Sequence, residues 1–349
     1  MLQPTDDLKI KSLHSLKRPE EFLQQLPLTS SRAEVIHQAR RAAADVIAGK
    51  DNRLLVIVGP CSIHDVDSAL EYASLLKAAA VDYANTLVIM MRVYFEKPRT
   101  VLGWKGLIND PHLNNTFDIN HGLTLARKLL LDLIALGVPT ATEFLDPIIP
   151  QYLSDLICWS AVGARTSESQ IHRELASGLS MPVGFKNSTD GNIKIAIDGV
   201  IAAKHPHHFL SISKQGIPSV VHTQGNKDCH IILRGGTTST NYSAEQIQET
   251  AAALRNENLL PRLMVDCSHG NSMKDHLLQH KVIDSIVEQI RNGVSEICGV
   301  MLESHLVAGR QNLLDSQPLV YGQSITDACV SWDETVVLLD KLARVVKSK

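Results

Sequence analysis

LLVIVGPC, residues 54–61, is a five-residue apolar run that breaks at Gly-Pro and delivers a cysteine. So short a branched-aliphatic run fits one buried strand, and the thiol beyond it then sits at that strand's carboxyl end. The pattern recurs at 87–93, 139–142, 161–164, 182–185, 231–233, 263–265 and 299–302. These seven runs lead in turn to Arg92 with Lys97 and Arg99, to Glu143, to Arg165, to Lys186, to Arg234, to Asp266 with His269, and to Glu303. Amphipathic stretches separate them, at 65–83, 121–136, 150–159, 168–177, 193–204, 244–258, 282–292 and 333–346. Short strands alternating with helices make a parallel sheet, and eight such units predict an α/β fold, a (β/α)8 TIM barrel. In that barrel the reactive side chains gather at the carboxyl ends of the strands. A single arginine after a strand is ordinarily solvated loop charge, but eight consecutive strands ending in this way point to a site.

The chain has 349 residues, about 100 more than such a barrel needs, which predicts one barrel domain over 1–349 with additions. Residues 1–53 precede the first strand; they hold a helix over 31–48, capped by Ser30 or Ser31 and ended by Gly49. Residues 207–223 read as a β-hairpin inserted in the sixth unit, with FLSIS and SVVHT flanking KQGIP. Residues 94–120 form a long loop rich in Gly, Pro, Asn and charge, of a length that is usually functional in a compact domain. The six cysteines show no CxxC pairing and read as reduced thiols. The amino terminus lacks the apolar segment of a signal peptide, and no apolar run is long enough to span a bilayer, so a cytoplasmic protein without membrane partners is expected. A net charge of −3 with no basic tail offers little to nucleic acid, so the cations of the strand ends are aimed at something small.

Arg92, Lys97, Arg99, Arg165, Lys186 and Arg234 at one barrel mouth repel one another unless an anion is bound. Arginine suits bidentate capture of phosphate or carboxylate, and lysine can also give up a proton. Six cations exceed what one phosphate requires, which implies two phosphorylated substrates, or a phosphate and a carboxylate. Cys61, His269, Glu303 and Asp327 carry metal-competent donors, and a mixed S, N and O shell would suit Mn²⁺, Fe²⁺, Co²⁺ or Zn²⁺ better than Mg²⁺ or Ca²⁺. Their spacing alone is a weak signal, since a lone buried cysteine is commonly inert. Glu143 is a candidate acid or water-positioning group whose alternative role is to pair with a neighbouring cation.

The stretches LLVIVGPCSIHD (54–65), MRVYFEKPRTVLGWKGLINDP (91–111), TATEFLDP (140–147), GARTSESQIHRE (163–174), PVGFKNSTDG (182–191), HIILRGG (230–236), MVDCSHGNS (264–272) and YGQSITDAC (321–329) resemble the class I 3-deoxy-D-arabino-heptulosonate 7-phosphate (DAHP) synthases, over nearly the whole chain. That resemblance implies a metal-dependent, aldol-like condensation of phosphoenolpyruvate with D-erythrose 4-phosphate and water, the opening step of the shikimate pathway. It places phosphoenolpyruvate on Arg92, Lys97, Arg165, Lys186 and Arg234, and erythrose 4-phosphate on Arg99 and Thr100 with Asp327. It makes Cys61, His269, Glu303 and Asp327 the ligands of a divalent ion, and gives Lys97, Glu143 and Lys186 catalytic roles beside them. It also makes 1–53 and 207–223 a regulatory extension and a regulatory hairpin that bind an aromatic amino acid. The effector residues carried over are Asp6, Asp7, Ile10, Pro150, Leu175, Leu179, Ser180, Phe209, Ser211 and Val221, and they favour phenylalanine, with tyrosine the alternative. A homotetramer or homodimer is expected. The nearest rival is the 3-deoxy-manno-octulosonate 8-phosphate synthase, against which KPRT (97–100) and the hairpin both argue. A non-catalytic metabolite sensor would have no need of every one of these positions.

Overall fold

The computed structural model describes residues 3, 5–313 and 317–347. Helices α1 (Pro19–Gln25) and α2 (Ser30–Ile47) lead into β1 (Leu54–Gly59), α3 (Val66–Asp82), β2 (Leu87–Arg92) and α4 (Ile119–Ala135). Next come β3 (Thr140–Glu143), α5 (Pro150–Leu153), β4 (Trp159–Val162), α6 (Gln170–Gly178), β5 (Val183–Lys186) and α7 (Lys194–Ala203). The hairpin strands β6 (His208–Ile212) and β7 (Pro218–His222) precede β8 (Cys229–Leu233), α8 (Ala244–Asn256), β9 (Leu263–Asp266), α9 (Gln279–Arg291) and β10 (Ile297–Glu303). A small parallel pair, β11 (Val307–Arg310) and β12 (Gln323–Ser324), and then α10 (Trp332–Lys347) complete the chain.

Eight strands close a parallel barrel in the order β1-β10-β9-β8-β5-β4-β3-β2, as the alternating pattern predicts. All of these strands are buried on both faces, which is why they read as continuous apolar runs. Side chains alternate across each strand, so every second residue faces the barrel axis. Met90, Ala141, Gly184, Ile232, Met264 and Met301 lie two residues before Arg92, Glu143, Lys186, Arg234, Asp266 and Glu303 respectively. An apolar plug is thereby set beneath a polar mouth. The register is staggered: Arg92 pairs with Ala141, Glu143 with Ala161, Lys186 with Ile232, and Asp266 with Met301. Such a stagger is what closing a tilted sheet demands.

Several local expectations are corrected. Thr29, not Ser30 or Ser31, caps α2, its hydroxyl accepting from the Arg32 amide. The helix expected over 150–159 stops at Leu153; one 3₁₀ turn follows, and Trp159 opens β4 fully buried in the barrel. Its ring occupies the space beside Gly184, where a Cβ would lie 2.8 Å from the indole. The short helix α1 and the β11–β12 pair are additions that periodicity did not predict. Gly49 does end α2, at φ +72°.

The amino-terminal segment runs along the outside of the barrel. Phe22 of α1 stacks edge-on against Tyr152, whose hydroxyl donates to the Lys17 carbonyl. The Glu20 amide donates 2.8 Å to the Lys214 carbonyl in the hairpin turn, and Lys214 Nζ donates 2.5 Å to the Gln151 carbonyl. Segment, hairpin and α5 are thus bonded to one another. No helix among the described residues is long and apolar enough to cross a membrane.

Candidate active site

The strand ends converge on a cavity of about 150 Å³, walled by Tyr94, Glu96, Lys97, Arg99, Glu143, Arg165, Lys186, Arg234, Ser268, His269, Lys274 and Asp327, among others. A wider hollow of about 1150 Å³ opens at the opposite end of the barrel. There Arg53 is bonded to Asp51, Arg262 to the Ser295 and Val46 carbonyls, and Arg344 to Asp340. Those three arginines are already engaged, and the smaller cavity, where the strand-end side chains gather, is the candidate site.

Three side chains lie just behind the cavity wall. Arg92 is fully buried; its Nη2 is 3.0 Å from Glu303 Oε1 and its guanidinium lies 4.0 Å from the centre of the Tyr94 ring. Its Nη1 is buried without a hydrogen-bond partner. Cys61 accepts from Lys97 Nζ at 3.2 Å and stands 3.7 Å from Asp327 Oδ2. Glu303 also accepts from Ser268 Oγ at 2.8 Å.

Donor atoms of Cys61, Glu303 and Asp327 all lie within 4.8 Å of one another. His269 reaches the same place: its Nε2 is 3.8 Å from Glu303 Oε1, while its Nδ1 faces Asp266 Oδ2 at 2.9 Å. A thiol, an imidazole and two carboxylates so gathered fit a borderline divalent ion, and the Asp266 contact would fix which imidazole nitrogen is free to ligate. Burial, with Glu303 adding to it, pushes the Cys61 thiol up to about 11, so it is protonated here and donates toward Asp327. Burial lowers the Lys97 ammonium, but its acidic neighbours, the Glu303 and Asp327 carboxylates among them, outweigh it and hold it above its ordinary value. Burial would raise the Asp266 carboxyl; His269 and Lys186, whose Nζ is 3.0 Å away, override it and hold the carboxyl well below the usual range.

Among the described residues Arg99, Arg165, Arg234 and Lys274 line the cavity with no carboxylate at ion-pairing distance. Arg99 is exposed and donates Nε to the Trp104 carbonyl at 2.7 Å, and Arg234 donates to the Gly235 carbonyl at 3.2 Å. Burial and the nearby Arg165 lower the Arg234 guanidinium, though Asp266 opposes them. Glu143 is nearly buried, and Gly163 makes room for it, since a Cβ there would collide with its carboxylate. Thr100 is exposed and stands outside the cavity wall.

Of the expected effector residues, Pro150 opens α5 and is buried, as is Leu175. Phe209 pairs with Val221 and Ser211 with Ser219 across the hairpin, with Leu179 half-buried and Ser180 exposed. Asp6, Asp7 and Ile10 are exposed and bonded within their own turn, Asp7 to Asp6 and Ile10 to Asp7.

Asp266, Ser268 and Glu96 carry more of the site than the sequence assigned to them. Asp266 holds both Lys186 and His269; its position at a strand end was the available signal. Glu96 is buried beside Lys97 and accepts from the amides of Leu145 and Asp146 at 3.3 and 3.0 Å. Burial pushes its carboxyl up to about 8. No sequence signal separates it from a surface charge.

Residues 28–340 match the DAHP synthetase I family. The chain is 54% identical to the Phe-sensitive phospho-2-dehydro-3-deoxyheptonate aldolase of Escherichia coli K12, over 99% of this chain and 98% of that one. It is 52% identical to the Trp-sensitive enzyme of Salmonella typhi, over 99% of each. A solved phospho-2-dehydro-3-deoxyheptonate aldolase from Francisella tularensis SCHU S4 superposes with a TM-score of 0.95 at 50% identity, covering 97% of this chain and 98% of that chain.

Proposed function

The chain belongs to the DAHP synthetase I family and is a DAHP synthase of the shikimate pathway, and we propose how its barrel mouth divides that work. Phosphoenolpyruvate takes the inner half, its phosphate on Arg165, Lys186 and Arg234 and its carboxylate toward Arg92 and Lys97. Erythrose 4-phosphate takes the outer half, with its phosphate on Arg99 and Thr100 and its aldehyde toward Asp327. The observation that carries this division is the set of cavity cations without carboxylate partners, Arg99 exposed and Arg165 close to the buried Arg234. Unpaired, they repel; two bound anions relieve them.

Cys61, His269, Glu303 and Asp327 would hold a divalent ion, Mn²⁺, Fe²⁺, Co²⁺ or Zn²⁺, and such an ion supplies Lewis acidity toward the aldehyde oxygen. C3 of phosphoenolpyruvate attacks the aldehyde carbon, and Lys97 gives a proton to the oxygen that becomes a hydroxyl. Glu143 and Lys186 orient the water that adds to C2. The hemiketal phosphate so formed expels inorganic phosphate by C–O cleavage. Lys97 is protonated at neutral pH and its ammonium is held beside Cys61, within the donor cluster.

Phenylalanine is the effector we favour at the hairpin, supported by the 54% identity to a Phe-sensitive relative and by Ser211, where tyrosine sensors tend to carry glycine. Trp-sensitive relatives of 52% identity make tryptophan a further candidate beside tyrosine. The exposed apolar side chains Leu8, Ile10 and Leu13 on the arm and Leu210 and Val220 on the hairpin support self-association into a homodimer or homotetramer. One assay tests the whole reading: loss of phosphoenolpyruvate with erythrose 4-phosphate or a five-carbon sugar phosphate, with each aromatic amino acid added in turn. Turnover with erythrose 4-phosphate, inhibited by phenylalanine, is expected; turnover with the pentose phosphate instead would overturn the substrate, and inhibition by tyrosine or tryptophan alone would overturn the effector.

A further inference from the structure

Lys274 is a cation that the division of labour above leaves without a task. It lies in the turn after β9 that starts at His269, and its side chain lines the cavity together with Arg99, His269 and Asp327. The backbone is held in an unfavourable shape to put it there: His269, Met273 and Lys274 have φ of 53°, 52° and 64°, the left-handed region that residues with side chains rarely adopt. The turn is closed by its own hydrogen bonds, from the Lys274 amide to the His269 carbonyl at 2.8 Å, from Met273 to Gly270 at 3.1 Å and from Asp275 to Ser272 at 2.9 Å. The lysine is therefore carried on a rigid support, and among the described residues no carboxylate lies within ion-pairing distance of it.

An anion inventory shows where that charge is wanted. The phosphate and carboxylate of phosphoenolpyruvate are matched by Arg92, Lys97, Arg165, Lys186 and Arg234. The second phosphate has Arg99, whose Nε already serves the Trp104 carbonyl, and Thr100, which stands outside the cavity wall. A dianion facing one partly engaged guanidinium is undermatched.

We propose that Lys274 is the second cationic ligand of the sugar phosphate, facing Arg99, and that it selects the phosphorylated aldose over the free sugar. This rests on the DAHP synthase reading. Because one closed turn carries both His269 and Lys274, it fixes the distance between the aldehyde end and the phosphate end of the substrate, and so also gauges the length of its carbon chain.

The test uses the Mn²⁺-loaded enzyme with Lys274→Met and Lys274→Arg. Losing a charge-assisted contact is expected to raise the KM for erythrose 4-phosphate about ten- to hundredfold in Lys274→Met. The KM for phosphoenolpyruvate should stay at its wild-type value, Lys274→Arg should recover most of the loss, and kcat/KM for unphosphorylated erythrose should be the same in all three proteins. An unchanged KM for erythrose 4-phosphate, an equal rise for both substrates, or an equal loss with free erythrose would overturn the inference. Failure of the wild type to consume phosphoenolpyruvate with erythrose 4-phosphate would instead overturn the functional reading beneath it.

Discussion

Lys97 aims its ammonium at Cys61, with Nζ 3.2 Å from Sγ and 3.3 Å from the carbonyl oxygen of the same residue. One residue of the long β2–α4 loop is thereby tied to the group that follows β1, and an ammonium is set beside the metal-competent donors. Lys97→Arg keeps the charge but removes a group able to release a proton, so kcat should fall about a hundredfold or more while the KM for phosphoenolpyruvate changes little. Steady-state kinetics decide it; a variant with near wild-type kcat would show that Lys97 only binds.

The ion proposed at the donor cluster is tested by its removal. A chelator should abolish turnover, and Mn²⁺, Co²⁺ or Fe²⁺ should restore it. Cys61→Ser should weaken ion affinity by about tenfold or more, since a hydroxyl is a poorer ligand than a thiolate, without lowering the melting temperature of the ion-free protein. Calorimetric titration of both proteins measures this, and full activity after exhaustive chelation would refute it.

Arg99 and Arg165 both line the one cavity at the barrel mouth. Arg99→Ala should raise the KM for erythrose 4-phosphate more than that for phosphoenolpyruvate, and Arg165→Ala should do the reverse, each by about tenfold or more. Equal effects of both variants on both substrates would show that the anion pockets are misassigned.

Glu96 gives the fold a pH signature. Its carboxyl titrates near 8 in the folded chain, against an ordinary value of 4.5. The folded state therefore binds the proton more tightly than the unfolded chain, and this contribution is complete below pH 4.5. It is lost as the pH rises through 8, by at most about 1.4 kcal/mol per pH unit. Glu96→Gln cannot ionise, so the difference between its stability and that of the wild type should move in its favour from pH 5 to pH 8. Urea denaturation at the two values measures the change; a constant difference would mean that Glu96 is ionised throughout.

The hairpin and the amino-terminal segment give a regulatory prediction. Removing the first twelve residues, or Ser180→Trp, should leave kcat largely intact and abolish inhibition by phenylalanine. In the intact chain the effector should weaken substrate binding by roughly 5- to 150-fold, the range of a coupling of about 1–3 kcal/mol. Inhibition curves for the three proteins check it, and undiminished inhibition of the truncated chain would remove the segment from the site.

The barrel was readable because each strand obeys one rule, an apolar run followed closely by an ionisable or metal-competent side chain: Arg92, Glu143, Lys186, Asp266 and Glu303 end their strands and Arg234 directly follows β8. Boundaries were less readable where two signals compete. Trp159 follows a helix-like stretch from Pro150, and what makes it strand is a place beside Gly184, a contact that local pattern does not carry. Thr29, Ser30 and Ser31 offer three hydroxyls in succession, and the choice among them is made by the path of the chain. Asp266 was visible at a strand end but without a role, and Glu96 only as a residue. The first is defined by Lys186, distant in sequence, and the second by two main-chain amides across the barrel mouth.

The closure of the barrel fixes when this enzyme becomes an enzyme. β1 is the first barrel strand to be synthesised and β10 the last, yet they are neighbours, with Gly59 in register with Glu303. Cys61 meets Asp327 across 266 residues of chain. A nascent chain thus carries the cysteine long before the acids that accompany it exist, and contacts so distant in sequence form late. Until the seam closes the first strand has an open edge and the thiol lacks both of its acidic neighbours, so the donor cluster is complete only when the barrel is.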